Sequence, residues 1–305
     1  MTPPLGARAA LALDLGGTKL DAALVDETGA VLAGSRVRRE TGRDIHPTRM
    51  RAALADVVHD VRAAVPGGIE IVGVGIGSAG PVDRDHGAIH PVNMPLLHGF
   101  PLADAVADAI RAAALEVPVV LGHDGGCLAL AEAWQGAARG AFASLSLVVS
   151  TGIGGGIVVG GRLLTGASGN AGHLGQTFVG DTTVEEIASG PASISWAQAQ
   201  GWQGRTGMEL AASAASGDAV ARAAVVRSAE AVGWALADAT TLLDLDVIAI
   251  GGGFSRVAPD YVDLVGAALR ERVVVDFARA VRVVRSGLGD DGPLMGAAAL
   301  VLDRD

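Results

Sequence analysis

Two segments of this chain, about 135 residues apart, repeat one pattern of strand, glycine turn, strand, tight turn and strand. The first copy reads Leu11-Ala12-Leu13, Asp14, Gly16-Gly17-Thr18-Lys19, an apolar run over 22–25 and a turn over 26–29. The second copy reads an apolar run over 145–149, Ser150-Thr151-Gly152, Gly154-Gly155-Gly156, an apolar run over 157–159 and a turn at Gly160-Gly161. Two such units facing each other would direct two sets of backbone N–H groups into one cleft, so the repeat predicts a polyphosphate held from both sides.

Length and composition favour two domains of ordinary size with aliphatic cores. The chain has 305 residues, half of them hydrophobic but only 3% aromatic, and its 44 glycines follow no fixed period. The formal net charge of −10 argues against a nucleic-acid groove as the main surface. No window reaches the roughly 18 uninterrupted apolar residues of a membrane span, and residues 1–8 contain no apolar core of signal-peptide length.

The single cysteine, Cys127, excludes an intramolecular disulfide and any multi-cysteine zinc or iron–sulfur site. A reducing cytoplasm is therefore the expected location.

Apolar spacing predicts strands that alternate with helices, which is typical of an α/β sheet. The predicted helices cover 48–64, 102–114, 124–138, 183–189, 191–200, 219–243 and 292–302, and the predicted strands outside the repeat cover 68–77, 117–121 and 247–250. We find no long linker, so any motion between the two halves would be a hinge.

The glycine turns are candidate phosphate sites. Asp14 at the end of a strand can hold a magnesium ion, also through water, while the glycines of 16–19 let backbone amides approach phosphate oxygens. Alone, each turn is equally well explained as an ordinary turn, and the pairing with 150–156 favours the phosphate role. A third group, Gly251-Gly252-Gly253, suits an adenine or ribose lying on backbone, or a simple strand-to-helix turn.

The order of these motifs resembles that of the ROK family of bacterial sugar kinases and sugar-responsive repressors. The matching residues are Asp14 to Lys19, Ser150 to Gly156, Gly169-Asn170-Ala171-Gly172-His173-Leu174-Gly175 and Ile250 to Gly253. The resemblance implies a two-domain actin-like ATPase (ribonuclease H-like) fold with an interdomain cleft, and ATP and Mg²⁺ as cofactors. Repressor members carry a helix-turn-helix domain before the first strand, whereas only ten residues precede it here, which favours a kinase.

Phosphoryl transfer to a sugar hydroxyl needs a carboxylate that accepts the hydroxyl proton. Asp124 follows the strand 117–121, opens a helix and matches the second residue of the family's Asn-Asp pair, so the resemblance implies that it is the base. A role as helix N-cap is the alternative and does not exclude the catalytic one. His123 replaces the Asn and could donate one hydrogen bond to a sugar hydroxyl.

The resemblance implies sugar contacts from Asn93 and Glu185, with a surface or packing role as the alternative for each. His173 stands where glucokinase-like members have Glu and N-acetylmannosamine kinases have His, and Leu96 to Leu102 also resembles the latter group. Gln176 replaces the histidine of the zinc site common in the family, and the cysteine segment is shortened to 179–183. We therefore expect no zinc.

These observations predict a smaller N-terminal domain of residues 1–121 plus 291–305 and a larger one of residues 122–290. The expected activity is ATP-dependent phosphorylation of the 6-hydroxyl of a hexose or N-acylhexosamine by a cytoplasmic homodimer. A sugar-sensing protein without turnover and a polyphosphate-dependent glucokinase are the alternatives.

Overall fold

The computed structural model describes residues 7–65 and 68–302. Within these residues the chain forms two compact units. One contains residues 7–135, 163–171 and 288–302, and the other contains residues 136–162 and 172–287. The division predicted from sequence, which cuts at residues 121 and 290, stays a prediction.

The first unit is built on a mixed sheet. Its strands are β1 (Ala7–Leu15), β2 (Lys19–Asp26), β3 (Val37–Glu40), β4 (Ile69–Ser78), β5 (Val82–Asp83), β6 (Ala88–Ile89) and β7 (Val119–His123). Five of them form a sheet of order β3-β2-β1-β4-β7, in which β2 is antiparallel to β1 while β4 and β7 run parallel to it. Parallel strands end at one edge of a sheet, so the carboxyl ends of β1, β4 and β7 lie side by side, the usual place for a ligand site in such sheets.

Strand β1 is buried on both faces, as its continuous apolar run requires. The helices of this unit include α1 (Pro47–Ala63), α2 (Leu102–Ala112) and α3 (Asp124–Gln135). On one face, Leu11 and Leu13 share a core with Leu54 of α1 and Val106 of α2. Burying a leucine side chain contributes about 1.5 to 3 kcal/mol, so this face anchors the strand that carries Asp14.

The second unit repeats the topology of the first. Its strands are β8 (Ala143–Val149), β9 (Ile153–Val159), β10 (Arg162–Leu163), β11 (Phe178–Val179), β12 (Thr182–Thr183), β13 (Val247–Gly251) and β14 (Arg282–Arg285). The sheet order β10-β9-β8-β13-β14 has the same antiparallel hairpin followed by two parallel strands. The predicted duplication is thus confirmed.

Helices pack on the second sheet. They are α4 (Val184–Ala188), α5 (Gly190–Ala199), α6 (Gly207–Ala215), α7 (Ala219–Leu243), α8 (Tyr261–Arg272) and α9 (Asp276–Arg279). The predicted bounds of α7 are confirmed. The helix begins after Asp218, which caps it by accepting from the Ala221 N–H at 2.8 Å, and it ends before Asp244, whose φ of 50° is left-handed.

The chain returns to the first unit in α10 (Gly292–Ala298), which packs on the second face of β1 against Ala10 and Ala12. Two glycines allow this packing. A Cβ on Gly75 of β4 would overlap the carbonyl of Ala297, and one on Gly296 would overlap the carbonyl of Cys127.

Several sequence predictions were wrong in detail. The third strand of the first repeat was expected directly after the turn at 26–29, but only Val31 forms a bridge there and β3 begins at Val37. No element was predicted over 201–218 or 254–290, where α6, α8, α9 and β14 lie. The helix predicted to reach 138 ends at Gln135. Within residues 7–65 and 68–302, no helix combines the length and apolarity that a membrane span needs.

Candidate active site

The first glycine turn joins β1 to β2 and is held by its own backbone. Gly16 donates its N–H to the carbonyl of Lys19 at 2.9 Å. Thr41, which follows β3, donates its side-chain hydroxyl to the Gly16 carbonyl and its N–H to the Thr18 carbonyl, both at 3.0 Å. The turn therefore has a fixed shape with Thr18 exposed at its tip.

An ion cluster centred on the buried Asp21, which sequence reasoning missed, lies beside this turn. Asp21 is 1% exposed and accepts hydrogen bonds from Arg38 at 2.5 and 2.7 Å, from Lys19 at 3.1 Å and from Arg36 at 3.3 Å. Burial raises the pKa of Asp21, but the hydrogen bonds from Arg38 and Lys19 outweigh it and hold that pKa at about 2. The ammonium of Lys19, predicted to contact phosphate, is thus oriented by Asp21.

Asp14 and Asp124 influence each other electrostatically. Burial raises the pKa of Asp14 to about 6, and the negative charge of Asp124 is the next largest cause, while Lys19 opposes the rise. Mg²⁺ is usually bound through one or two carboxylates together with substrate phosphates. Asp14, a carboxylate at the end of β1 beside the glycine turn, fits such a role.

Asp124 is the first residue of α3, at the carboxyl end of β7, as predicted. Its side chain is exposed, and its Oδ1 accepts from the Gly125 N–H at 2.7 Å. The capping acceptor for the next N–H is His123, whose Nδ1 accepts from Gly126 at 3.2 Å. The N-cap role considered for Asp124 therefore falls to His123, and Asp124 lies in the first helical turn, where a negative charge is stabilised.

The imidazole of His123 is only 2% exposed and bonds to backbone on both sides. Because its Nδ1 accepts from Gly126, its Nε2 carries the proton and donates to the carbonyl of Ala171 at 3.1 Å. The single donor that the predicted sugar contact needs is thus already engaged. That contact would require this bond to break, and it stays a prediction.

Asn93 lies against the first glycine turn. It precedes a 3₁₀ turn over Pro95–Leu97, where the buried Met94 and Leu97 anchor the loop. The Asn93 side chain is exposed, and a Cβ on Gly17 would overlap its amide. The structure therefore brings the residue predicted to contact sugar next to the turn predicted to contact phosphate.

In the second unit, the turn Ser150–Gly152 joins β8 to β9 and closes with a 2.9 Å bond from the Ser150 N–H to the Gly152 carbonyl. The glycines after it differ in role. A Cβ on Gly154 would meet no atom of the described residues within 4 Å, whereas one on Gly155 would lie 2.5 Å from the Ser146 carbonyl. Gly154 thus leaves backbone open to a ligand, and Gly155 permits close packing.

The third glycine group ends β13 beside this turn. Gly252 has a φ of 96° and would clash with the Val149 carbonyl if it carried a Cβ, while Gly253 approaches the Ser150 hydroxyl. A 3₁₀ turn over Phe254–Arg256 follows. The predicted nucleotide-contacting glycines 251–253 and the turn 150–152 are therefore neighbours.

Glu185, Gln176 and His173 form the other part of the second unit's site. The Oε2 of Glu185 accepts from the Ile153 N–H at 2.7 Å, and its Oε1 lies 3.4 Å from Nε2 of Gln176. His173 is partly buried and leads into the 3₁₀ turn Leu174–Gln176.

The shortened segment 179–183 lies in a short hairpin of β11 and β12 that is held by hydrogen bonds. Thr183 and Glu186 form a capping box at the start of α4, and the Val184 N–H donates to the Thr177 carbonyl at 2.9 Å. These bonds fix the helix that carries Glu185. The absence of zinc stays a prediction.

The structure thus groups the predicted residues within each unit. The first unit holds Asp14, Gly16, Gly17, Thr18, Lys19, Asn93, His123 and Asp124, and the second holds Ser150, Thr151, Gly152, His173, Gln176, Glu185, Gly251, Gly252 and Gly253. That one ligand contacts both groups stays a prediction.

Comparison with known proteins agrees with this arrangement. The chain matches the family model described as the ROK family over residues 10–304. It is 30% identical to a glucokinase of Thermotoga maritima, over 96% of this chain and 97% of that protein. It is 33% identical to an N-acetylmannosamine kinase of Yersinia pseudotuberculosis, over 94% of this chain and 96% of that protein.

Two solved structures share the fold. A ROK hexokinase from Thermus thermophilus has a TM-score of 0.83 at 32% identity, covering 96% of this chain and 97% of that one. A ROK family glucokinase from Streptomyces griseus, in complex with glucose and AMPPNP, has a TM-score of 0.75 at 27% identity, covering 96% and 99%. The predicted actin-like ATPase fold is confirmed.

Proposed function

This chain belongs to the ROK family, and on that premise we propose that it is an ATP-dependent sugar kinase acting on the 6-hydroxyl of a hexose or N-acylhexosamine. The observation that carries the proposal is the grouping in the first unit. Asp14 and Asp124 interact electrostatically beside a glycine turn, and Asn93 lies against that turn. Phosphoryl transfer needs these parts: a phosphate cradle, a metal-binding carboxylate, a base and a sugar contact.

Asp124 is the proposed base. Its side chain is exposed at the start of α3, and its Oδ1 accepts from the Gly125 N–H. It would accept the proton of the sugar hydroxyl as the phosphoryl group is transferred. Asp14 stays a carboxylate in this scheme and does not take the proton.

The phosphates would be bound by backbone N–H groups of Gly17 and Thr18 in the first turn and of Thr151 and Gly152 in the second, with Lys19 as a cation held by Asp21. Asp14 is the residue that would hold Mg²⁺, directly or through water, and the bound ion would neutralise negative charge on the phosphates. Gly251 to Gly253 would lie against the adenosine.

The sugar is proposed to contact Asn93, Glu185, His173 and Gln176. An imidazole can donate one hydrogen bond and accept another, whereas a carboxylate only accepts, so His173 favours a different hydroxyl pattern from the Glu of glucokinase-like members. Since one relative is named a glucokinase and another an N-acetylmannosamine kinase, we propose these two sugars as the first candidates. We also propose a homodimer in the cytoplasm, which sizing by light scattering and cell fractionation can test.

The test is ADP release from ATP and Mg²⁺ over a panel of glucose, mannose, N-acetylglucosamine and N-acetylmannosamine. Sugar-dependent ADP release by the wild type, lost in Asp124→Asn and kept in Asp104→Asn, supports the proposal, because Asp104 is an exposed residue of α2. Sugar binding without ADP release would identify a sensing protein. Transfer from polyphosphate but not from ATP would identify the polyphosphate-dependent alternative.

A further inference from the structure

Glu185 contacts the second glycine turn directly. Its Oε2 accepts from the backbone N–H of Ile153 at 2.7 Å, and Ile153 is the residue that follows the turn 150–152. A Cβ on Gly152 would lie 2.8 Å from the same oxygen. The carboxylate proposed to bind sugar is therefore packed against the backbone proposed to bind phosphate.

The other end of the turn is held by the same short segment. The Ser150 carbonyl accepts from the Gly190 N–H at 2.8 Å, and Gly190 begins α5 directly after α4. Ser189 joins the two helices and caps α5 by accepting from the Ala192 N–H. Residues 185–190 thus hold both ends of the turn.

Helix α7 fixes this segment from behind. Arg227 donates to the Ile187 carbonyl and Ser228 to the Ala188 carbonyl, each at 2.7 Å. The Ser228 hydroxyl also bonds to that of the fully buried Tyr261 at 2.8 Å. Because α7 satisfies the last carbonyls of α4, the segment that carries Glu185 is held in place.

The carboxylate can contact the turn and a sugar at once. A carboxylate has about four acceptor positions, and Glu185 uses one on each oxygen, for Ile153 and for Gln176. A hydrogen bond from a backbone N–H to a charged carboxylate is stronger than one between neutral groups.

We propose that Glu185 is a positioning residue for the turn 150–152, which it holds through the N–H of Ile153, in addition to its sugar contact. The inference rests on the proposed function, and it predicts that nucleotide affinity depends on Glu185 when no sugar is present. A residue that only bound sugar would leave that affinity unchanged.

The test is titration of AMPPNP and Mg²⁺ into the sugar-free protein by calorimetry. Glu185→Ala removes the acceptor of the Ile153 N–H, and Glu185→Asp withdraws that acceptor by one methylene while keeping the charge. Both variants should bind AMPPNP about 10-fold more weakly, because one charge-assisted hydrogen bond is lost. Glu185→Gln keeps an oxygen that can accept from Ile153 and should bind within about 2-fold of the wild type. Glu230→Ala, which removes an exposed carboxylate of α7 in the same unit, serves as the control and should leave the affinity unchanged.

Hydrogen exchange gives a second readout that needs no nucleotide. The Ile153 amide should exchange faster in Glu185→Ala and Glu185→Asp than in the wild type, and at the wild-type rate in Glu230→Ala. Wild-type affinity and wild-type Ile153 exchange in both shortened variants would overturn the inference. A wild type that binds no AMPPNP would instead refute the proposed kinase function.

Discussion

Replacing Asp14 by asparagine should stabilise the folded chain at neutral pH. The pKa of Asp14 is raised from 3.8 to about 6 by burial and by the charge of Asp124, so ionising it costs folding free energy. Between pH 3.8 and pH 6 the folded state holds more protons than the unfolded state, and stability therefore falls as pH rises through that window. Asparagine does not titrate, so the variant avoids this loss.

The magnitude follows from the pKa. A rise from 3.8 to about 6 corresponds to about 3 kcal/mol at neutral pH for a carboxyl that is fully removed from water. The Asp14 side chain is partly exposed, so solvent relieves part of that cost and we expect about 1 to 2 kcal/mol. At pH 4 the Asp14 carboxyl of the folded wild type is protonated, so folding incurs little of the cost of a buried charge. The stability gained by Asp14→Asn should therefore be only a small fraction of the gain at pH 7.5.

The assay is urea unfolding followed by circular dichroism at pH 4.0 and pH 7.5. Asp56→Asn is the control, because Asp56 is an exposed residue of α1 in the same unit. The reasoning is refuted if Asp14→Asn gains no stability at pH 7.5, or if it gains equally at both pH values. Asp14→Asn should also lose the proposed kinase activity, since the Asp14 carboxylate is the proposed metal ligand.

The remaining predictions concern turnover, stability, metal content and sugar choice. Asp124→Asn should lower kcat by about 10²-fold or more while sugar binding stays within a few-fold, and near-wild-type kcat would contradict its role as base. Asp21→Asn should lower the free energy of unfolding by up to about 2 kcal/mol at pH 7, because the pKa of Asp21 is held at about 2 in the folded state. The stabilisation from Asp21 is present above pH 4 and is lost as the pH falls toward 2. Equal losses of stability at pH 3 and pH 7 in urea unfolding would refute this. Metal analysis of the purified protein should find less than stoichiometric zinc, since Gln176 and a lone cysteine cannot form a four-ligand site. His173→Glu should shift the ratio of kcat/KM values from N-acetylmannosamine toward glucose, and an unchanged ratio would show that His173 does not contact the sugar.

The repeated hairpins and the long helix could be read from sequence because their signals are local. An apolar run that enters a glycine turn specifies a strand end within a few residues, and Asp218 caps α7 through a bond to a residue three positions away. The candidate residue Asp14 follows from the same logic, since it lies at the end of a predicted strand, whereas Asp124 was identified by its match to the Asn-Asp pair of the ROK family. Strands β3 and β14 and helix α8 were missed, because their short or amphipathic patterns acquire a defined partner only in the folded unit.

Other features depended on residues distant in sequence and were decided by packing. Asp21 was not singled out from the sequence, because its partner Arg38 is brought against it only by the pairing of β2 with β3. His123 was expected to face the sugar, yet its ring bonds to Ala171, 48 residues away. The contact of Glu185 with Ile153 spans 32 residues in the same way. Local backbone preferences act over one or two turns of chain, whereas the partner of a buried polar group is set by which elements pack together, and that is a property of the tertiary structure.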